Sequence, residues 1–145
     1  MDETVPRSML RKNAKIELLK RVPLFERCSK SELERIARLA DEVSLPAGRK
    51  LTKEGERGRE FVVLVEGRVE VRRKGQRLRE LSAGDFLGEI SLVADIPRTA
   101  TVTTLTPVNI LLMTARDFQT LLREVPALQP KVLYALATRL PPEFQ

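Results

Sequence analysis

The sequence predicts an α+β chain, mainly β, in which a sandwich or barrel of short strands is flanked by helical segments at both ends. Three observations carry this. Between Val43 and Met113, β-branched and apolar runs are broken by turn residues every several positions, the pattern of a sandwich or barrel. Before and after that region the apolar residues recur at helical spacing instead. The 145 residues, 42% hydrophobic and 32% charged, suffice for one domain with a real core and hardly for two.

The elements follow in order. Residues 1–13 are polar and read as a flexible N-terminus, so the domain is expected over 14–145. Ala14 to Arg21 carries Ile16, Leu18 and Leu19 and predicts a short helix that Pro23 interrupts. Ser29-Lys30-Ser31-Glu32 has capping-box spacing, and Leu33, Ile36, Ala37 and Ala40 after it form one helical face. Leu45-Pro46-Ala47-Gly48 reads as strand then turn, and Glu54 to Gly58 as a second turn. Phe61 to Val65 predicts a buried strand. Glu66-Gly67-Arg68 turns it into Val69 to Arg72, which alternates and is half exposed. Lys74-Gly75-Gln76 turns again, and Leu78, Glu80 and Leu81 lead into Ser82-Ala83-Gly84-Asp85. Thr99 to Leu105 and Val108 to Met113 are two more strand-like runs around Thr106-Pro107. Thr114 with Asp117 caps a helix carrying Phe118, Leu121 and Leu122, which Pro126 stops. A last helix, with Pro130 in its first turn, presents Leu133, Leu136, Ala137 and Leu140 on one face, and Pro141-Pro142 ends it.

Composition removes several classes of chemistry. Histidine is absent, so no His-based metal site, Ser-His or Cys-His pair, or imidazole base exists. The single cysteine, Cys28, forms no intramolecular disulfide, which fits a reducing cytoplasm. It lies between Arg27 and Lys30, which would lower its pKa, yet it reads as an ordinary cysteine at a helix entrance. Net charge is +6, spread among acids without a basic block, and aromatics are only 4%. That favours small anions or acidic partners over nucleic-acid stacking, although an arginine-rich surface explains it equally well. No signal-peptide core or membrane-length apolar run appears.

The stretch FLGEISLVADIPRTATV, residues 86–102, sets Glu89 and Arg98 among apolar, small and hydroxylic residues. Gly88-Glu89-Ile90-Ser91-Leu92 reads as one helical turn after a Gly-Asp turn, with free backbone amides suited to a phosphate. The planar fork of Arg98 can hold two oxygens of a phosphodiester. Glu89 beside an anion makes sense if it accepts from a hydroxyl, such as a ribose. The alternative is that Glu89 and Arg98 pair with each other and close a surface loop.

The strings Gly84-Asp85-x-x-Gly88-Glu89-Ile90-Ser91-Leu92 and Pro97-Arg98-Thr99-Ala100-Thr101-Val102 resemble the phosphate-binding cassette of cyclic nucleotide-binding domains. That family includes kinase regulatory subunits, the catabolite activator protein and cyclic-nucleotide-gated channels. Gly55-Glu56-x-Gly58-x-x-Phe61, Glu66-Gly67-x-Val69-x-Val71, Phe118-x-x-Leu121-Leu122 and Pro126-x-Leu128 extend the likeness over about residues 15 to 140. It implies an eight-stranded β jelly roll with an N-terminal helical segment and C-terminal B and C helices. It also implies that Arg98 binds a cyclic phosphate and Glu89 the ribose 2′-hydroxyl. Amides around Gly88, Glu89, Ile90, Ser91 and Thr99 would complete the cradle, and Val71 and Leu81 would flank the purine. Leu87 stands where the family often has Phe, and Arg59 where a small or acidic residue is common in the turn. A hydroxyl at Thr99 can favour cyclic GMP in this family, yet cyclic AMP binders tolerate it too, so cyclic AMP is expected to lead with cyclic GMP close behind. Tyr134 and Arg139 on the last helix are the lid candidates, against the plainer reading that Tyr134 covers core and Arg139 is solvated.

The expected function is thus a non-catalytic cytoplasmic module that binds a cyclic nucleotide, with no metal and no cofactor. Cassette closure would pass to the last helix, which would meet a second copy or an effector. Binding of nucleic acid by this chain alone and binding of membrane are not expected. A cupin-type enzyme lacks its histidines. A DNA-binding regulator would need a helix-turn-helix for which Pro141 to Gln145 leaves no room, unless the chain is a fragment of a larger regulator, channel or enzyme. A degenerate scaffold is opposed by the intact Glu89 and Arg98.

Overall fold

The computed structural model describes residues 7–93 and 95–140. In chain order it has helix α1 (Arg7–Lys20), a 3₁₀ turn (Pro23–Phe25) and α2 (Lys30–Leu39). Strands β1 (Asp41–Leu45), β2 (Lys50–Thr52), β3 (Glu60–Glu66), β4 (Val69–Arg73), β5 (Gln76–Leu81) and β6 (Phe86–Leu87) follow. Then come α3 (Glu89–Val93), β7 (Thr101–Thr104), β8 (Val108–Thr114), α4 (Ala115–Glu124), a second 3₁₀ turn (Pro126–Leu128) and α5 (Gln129–Arg139). The eight described strands form two four-stranded antiparallel sheets, ordered β1-β8-β3-β6 and β2-β7-β4-β5. This is the expected β roll with helices before and after it.

Strand alternation builds two cores. Val62 and Leu64 of β3, with Ile110 of β8 and Leu87 of β6, face Val69, Val71, Leu81 and Val102 across the sheets. Phe61 and Val63 on the other side of β3, with Leu111 and Met113 of β8, meet Ile16, Leu19, Leu33, Ile36, Phe118 and Leu121 of the helices. Phe61 stacks on Phe118 with ring centroids 4.2 Å apart.

Both expected caps form. Ser29 accepts from the Glu32 amide while Glu32 reaches back to the Ser29 amide, and Thr114 accepts from the Asp117 amide. Three readings need correction. The helix expected from Ala14 begins at Arg7, because the polar Arg11, Lys12 and Asn13 interrupt its apolar pattern; residues 1–6 lie outside the described residues, as does Pro141-Pro142. In α5 the buried side chains are Val132 and Ala135, following Leu128, while Leu133 and Ala137 face outward. Both stripes have helical spacing, and the buried one places Val132 in the helix-side core, with α5 set against α3 and the second 3₁₀ turn. At Cys28, burial first and then the Glu32 carboxylate push the thiol up, outweighing Lys131, instead of its being lowered by its neighbours in sequence.

Candidate functional site

One cavity opens at the margin of the inter-sheet core. Val71, Leu81, Leu87 and Val102 give it an apolar floor, and Arg73, Arg79, Arg98 and Arg139 surround it with Glu89 as its one carboxylate among the described lining residues. It brings together Val71, Leu81, Gly88, Glu89, Ile90, Arg98, Thr99 and Arg139 from the sequence reading. The side chain of Ser91 lies outside the described residues. Tyr134 is 72% exposed on the outward side of α5 and does not line the cavity.

Arg98 is positioned through its backbone first. Its amide donates to the Glu56 carbonyl and its carbonyl accepts from the Gly55 amide, both at 2.8 Å. This pins it to the loop before β3. Its guanidinium, on a residue only 8% exposed, donates to the carbonyls of Glu60 (2.7 Å) and Gly88 (3.2 Å). Two glycines leave room for it. A Cβ on Gly58 would lie 1.8 Å from Arg98 Nε, and one on Gly88 would lie 2.6 Å from the Glu60 carbonyl oxygen and 2.9 Å from Arg98 Nη1. Gly88 also has φ +101°, which side chains disfavour. Burial pushes the Arg98 guanidinium down from its ordinary value, with the Glu60 and Glu89 carboxylates opposing the shift. The site therefore holds a desolvated cation oriented by neutral carbonyls, a setting in which an anion gains more than it would in water.

Glu89 opens α3 and is 1% exposed. Its Oε1 accepts from Arg139 Nη1 at 2.8 Å, and its Oε2 is buried with no hydrogen-bond partner. Buried carboxylate oxygens are normally satisfied, so this one has room for an incoming donor. Arg139 also donates to the Phe86 carbonyl (2.7 Å) and lies 4.9 Å over the Phe86 ring. Arg139 is thus half-buried in the cavity wall.

The sequence reading missed Thr52, Arg73, Leu78 and Arg79 in the wall. Arg73 Nε donates to the Thr99 carbonyl (3.1 Å), and the Thr52 hydroxyl donates to the Ala100 carbonyl (2.9 Å), so both hold the segment after Arg98 in place. Arg79 was findable: it lies two residues before the inward Leu81, on the same face of β5. The two departures from the family pattern are accommodated. Leu87 is buried in the floor, and Arg59 points to solvent while its carbonyl accepts from the Ala115 amide at 2.7 Å.

Comparison with known proteins follows the same outline. The family model described as the cyclic nucleotide-binding domain matches residues 42–125. A cyclic nucleotide-gated potassium channel of Rhizobium etli is 39% identical over 105 residues, which is 72% of this chain and 29% of the channel. A cAMP-dependent protein kinase regulatory subunit of Mycosarcoma maydis is 42% identical over 85 residues, 56% of this chain and 16% of that protein. This chain therefore spans less than a third of either relative. Among solved structures, the Thermus thermophilus catabolite activator protein superposes with a TM-score of 0.73 at 25% identity, over 81% of this chain and 58% of that one. The regulatory domain of Toxoplasma gondii PKA, crystallised with cAMP, gives 0.76 at 22% identity, over 85% and 49%. Among the described residues, no helix is long and apolar enough to cross a membrane.

Proposed function

The chain belongs to the cyclic nucleotide-binding domain family, and on that premise we propose that its arginine-lined cavity takes a 3′,5′-cyclic purine nucleotide, cyclic AMP ahead of cyclic GMP. The observation that carries this is the orphaned Oε2 of Glu89, buried in the cavity wall that also holds Arg98. A ligand that fits both must present an anion and, close by, a hydroxyl donor. A cyclic phosphate fused to a ribose does so. Arg98 would hold the phosphate with the amides of Gly88 to Ser91 and of Thr99, Glu89 would accept from the 2′-hydroxyl, and Val71 and Leu81 would flank the base. The lead of cyclic AMP rests on the sequence resemblance and on relatives named for that nucleotide.

The task of such a module is regulatory and not catalytic. Glu89 links ligand and helix: Oε1 is held by Arg139 of α5, and Oε2 is where the ribose would bind. A ligand that engages Glu89 more strongly in the closed arrangement shifts the population toward it. The far end of α5 is held separately, since Lys131 Nζ donates to the Pro23 carbonyl and to Glu26 Oε1. The exposed Leu133 and Tyr134 would then report the state of the cassette to a second copy or an effector protein. The same reading takes the module as cytoplasmic, binding no nucleic acid by this chain alone and no membrane.

The experiment is calorimetric titration of the full chain with cyclic AMP, cyclic GMP and linear AMP, repeated on Arg98→Ala. Saturable binding of cyclic nucleotides, lost in the variant and absent with linear AMP, is expected. No binding by wild type to either cyclic nucleotide overturns the reading.

A further inference from the structure

Arg98 lines two cavities. One is the site described above, and the other is a cleft between β2 and the turn that precedes β3. Gly58 lines that cleft and lies against the guanidinium, since a Cβ there would fall 1.8 Å from Nε. The backbone of Arg98 is stitched to the same turn at Gly55 and Glu56. One buried cation thus belongs to two walls.

The cleft is basic. Lys50 of β2, Lys53, Arg57 and Arg59 line it with Arg98, against the carboxylates of Glu56 and Glu60. Arg57 has a partner, Asp95, at 3.3 Å. The side chains of Lys50, Lys53 and Arg59 have no hydrogen bond or ion pair among the described residues. The contrast is with the β4–β5 hairpin, where Arg68, Arg72 and Arg77 are each paired with Glu70 or Glu80. Arg59 also stands where the family commonly has a small or acidic residue, so this charge is a feature of the present chain. Cations gathered around one concavity repel each other, and a cleft lined by one sign of charge concentrates the opposite ion.

The lining indicates which anion. The cleft measures about 360 Å³, within the range of small-molecule sites. Among the described lining residues Leu51 is the single apolar side chain and none is aromatic. There is no platform for a base or an apolar tail. Lysine and arginine offer donors and no acceptor. Three unpaired cations around a small volume match several negative charges on a short chain better than the single charge of a phosphodiester.

We propose that this cleft binds a free short-chain polyphosphate through Lys50, Lys53 and Arg59, and that this anion draws on Arg98 from the side opposite the cyclic phosphate. The cleft site stands apart from the cyclic-nucleotide reading; the antagonism between the two ligands rests on it. Anions that share one guanidinium lower each other's affinity by the same factor.

The test is calorimetry of the full chain with tripolyphosphate at fixed ionic strength, without divalent cations, for wild type, Lys53→Glu, Arg59→Glu and Arg116→Glu. Arg116 is exposed on α4, away from the cleft, and its variant makes the same change in net charge. Wild type is expected to bind one tripolyphosphate. Lys53→Glu and Arg59→Glu should each lose at least about tenfold, and Arg116→Glu less than about threefold. Saturating tripolyphosphate should weaken cyclic AMP about fivefold or more in wild type, and have no such effect in Arg59→Glu. Absence of saturable binding overturns the site. So does an equal loss in Arg116→Glu, which would mean diffuse charge, or no loss in Lys53→Glu and Arg59→Glu, which would place the anion in the other cavity. ATP that binds more tightly than tripolyphosphate, and in a Lys53-sensitive way, overturns the free anion as ligand. Cyclic AMP binding that is indifferent to bound tripolyphosphate overturns the sharing of Arg98. Wild type that takes tripolyphosphate and no cyclic nucleotide supports the cleft and overturns the cyclic-nucleotide reading.

Discussion

Arg139, the last residue of α5, donates to Oε1 of Glu89, the first residue of α3, at 2.8 Å. A half-buried cation and a carboxylate on a 1% exposed residue thus join the end of one helix to the start of another. Arg139→Ala leaves that carboxylate without its cation. The expected result is a stability loss of about 1–3 kcal/mol by urea titration, with faster amide exchange over residues 133–140. Arg139→Lys should restore part of the protection. Unchanged exchange in the alanine variant would mean that the contact does not hold the helix.

Arg98→Ala is expected to weaken cyclic nucleotide binding by at least about 30-fold, or about 2 kcal/mol, because the phosphate loses its cation within a desolvated site. Folding should be little affected, since the guanidinium is a buried charge that donates to the neutral carbonyls of Glu60 and Gly88. A titration that still saturates at wild-type concentrations would contradict this.

Gly58→Ala tests the same arginine without touching it. Gly58 does not have the left-handed backbone of Gly88, so alanine is tolerated by the chain, yet its Cβ would fall 1.8 Å from Arg98 Nε. The arginine must leave its slot. Affinity should fall by a factor comparable to Arg98→Ala while the melting temperature changes far less.

The Lys131–Glu26 contact gives a pH signature. The hydrogen bond from Lys131, and then its charge, hold the Glu26 carboxyl below its ordinary value. A depressed carboxylate contributes stability that is present above its unfolded pKa and is lost as pH falls through the folded one. The tie between α5 and the first 3₁₀ turn should therefore weaken only below the ordinary carboxylate range. Amide exchange at the start of α5, followed from neutral pH downward, should show this step in wild type and not in Glu26→Gln.

Phe118→Ala should cost about 3–5 kcal/mol in urea titration, because Phe118 is 1% exposed and stacked on Phe61.

Local signals carried much of this architecture. Ser29 and Thr114 each announce a cap by spacing, and Phe61 to Val65 announces a buried strand by composition. Glu89 and Arg98 stand out because charges in an apolar run need partners. The rotation of α5 was not legible, because its two apolar stripes are equally periodic and only tertiary packing, here against α3 and the second 3₁₀ turn, chooses between them. Arg139 belongs to the same ambiguity: it enters the cavity wall because Val132 and Ala135, and not Leu133, face inward. The three-residue β2 and two-residue β6 are too short to show a period. Arg73 joins the site through a backbone carbonyl 26 positions away, a contact that no local pattern encodes.

The two-sided burial of β3 has a mechanical consequence. Phe61 and Val63 are committed to the helices, and Val62 and Leu64 to the opposite sheet. A one-residue slide would exchange the two sets, so the strand has no soft direction along which to yield. It is the fixed datum of the molecule. On the proposed reading, any displacement that a ligand at Arg98 and Glu89 caused would fall to the one-turn α3 and to α5, and not to β3.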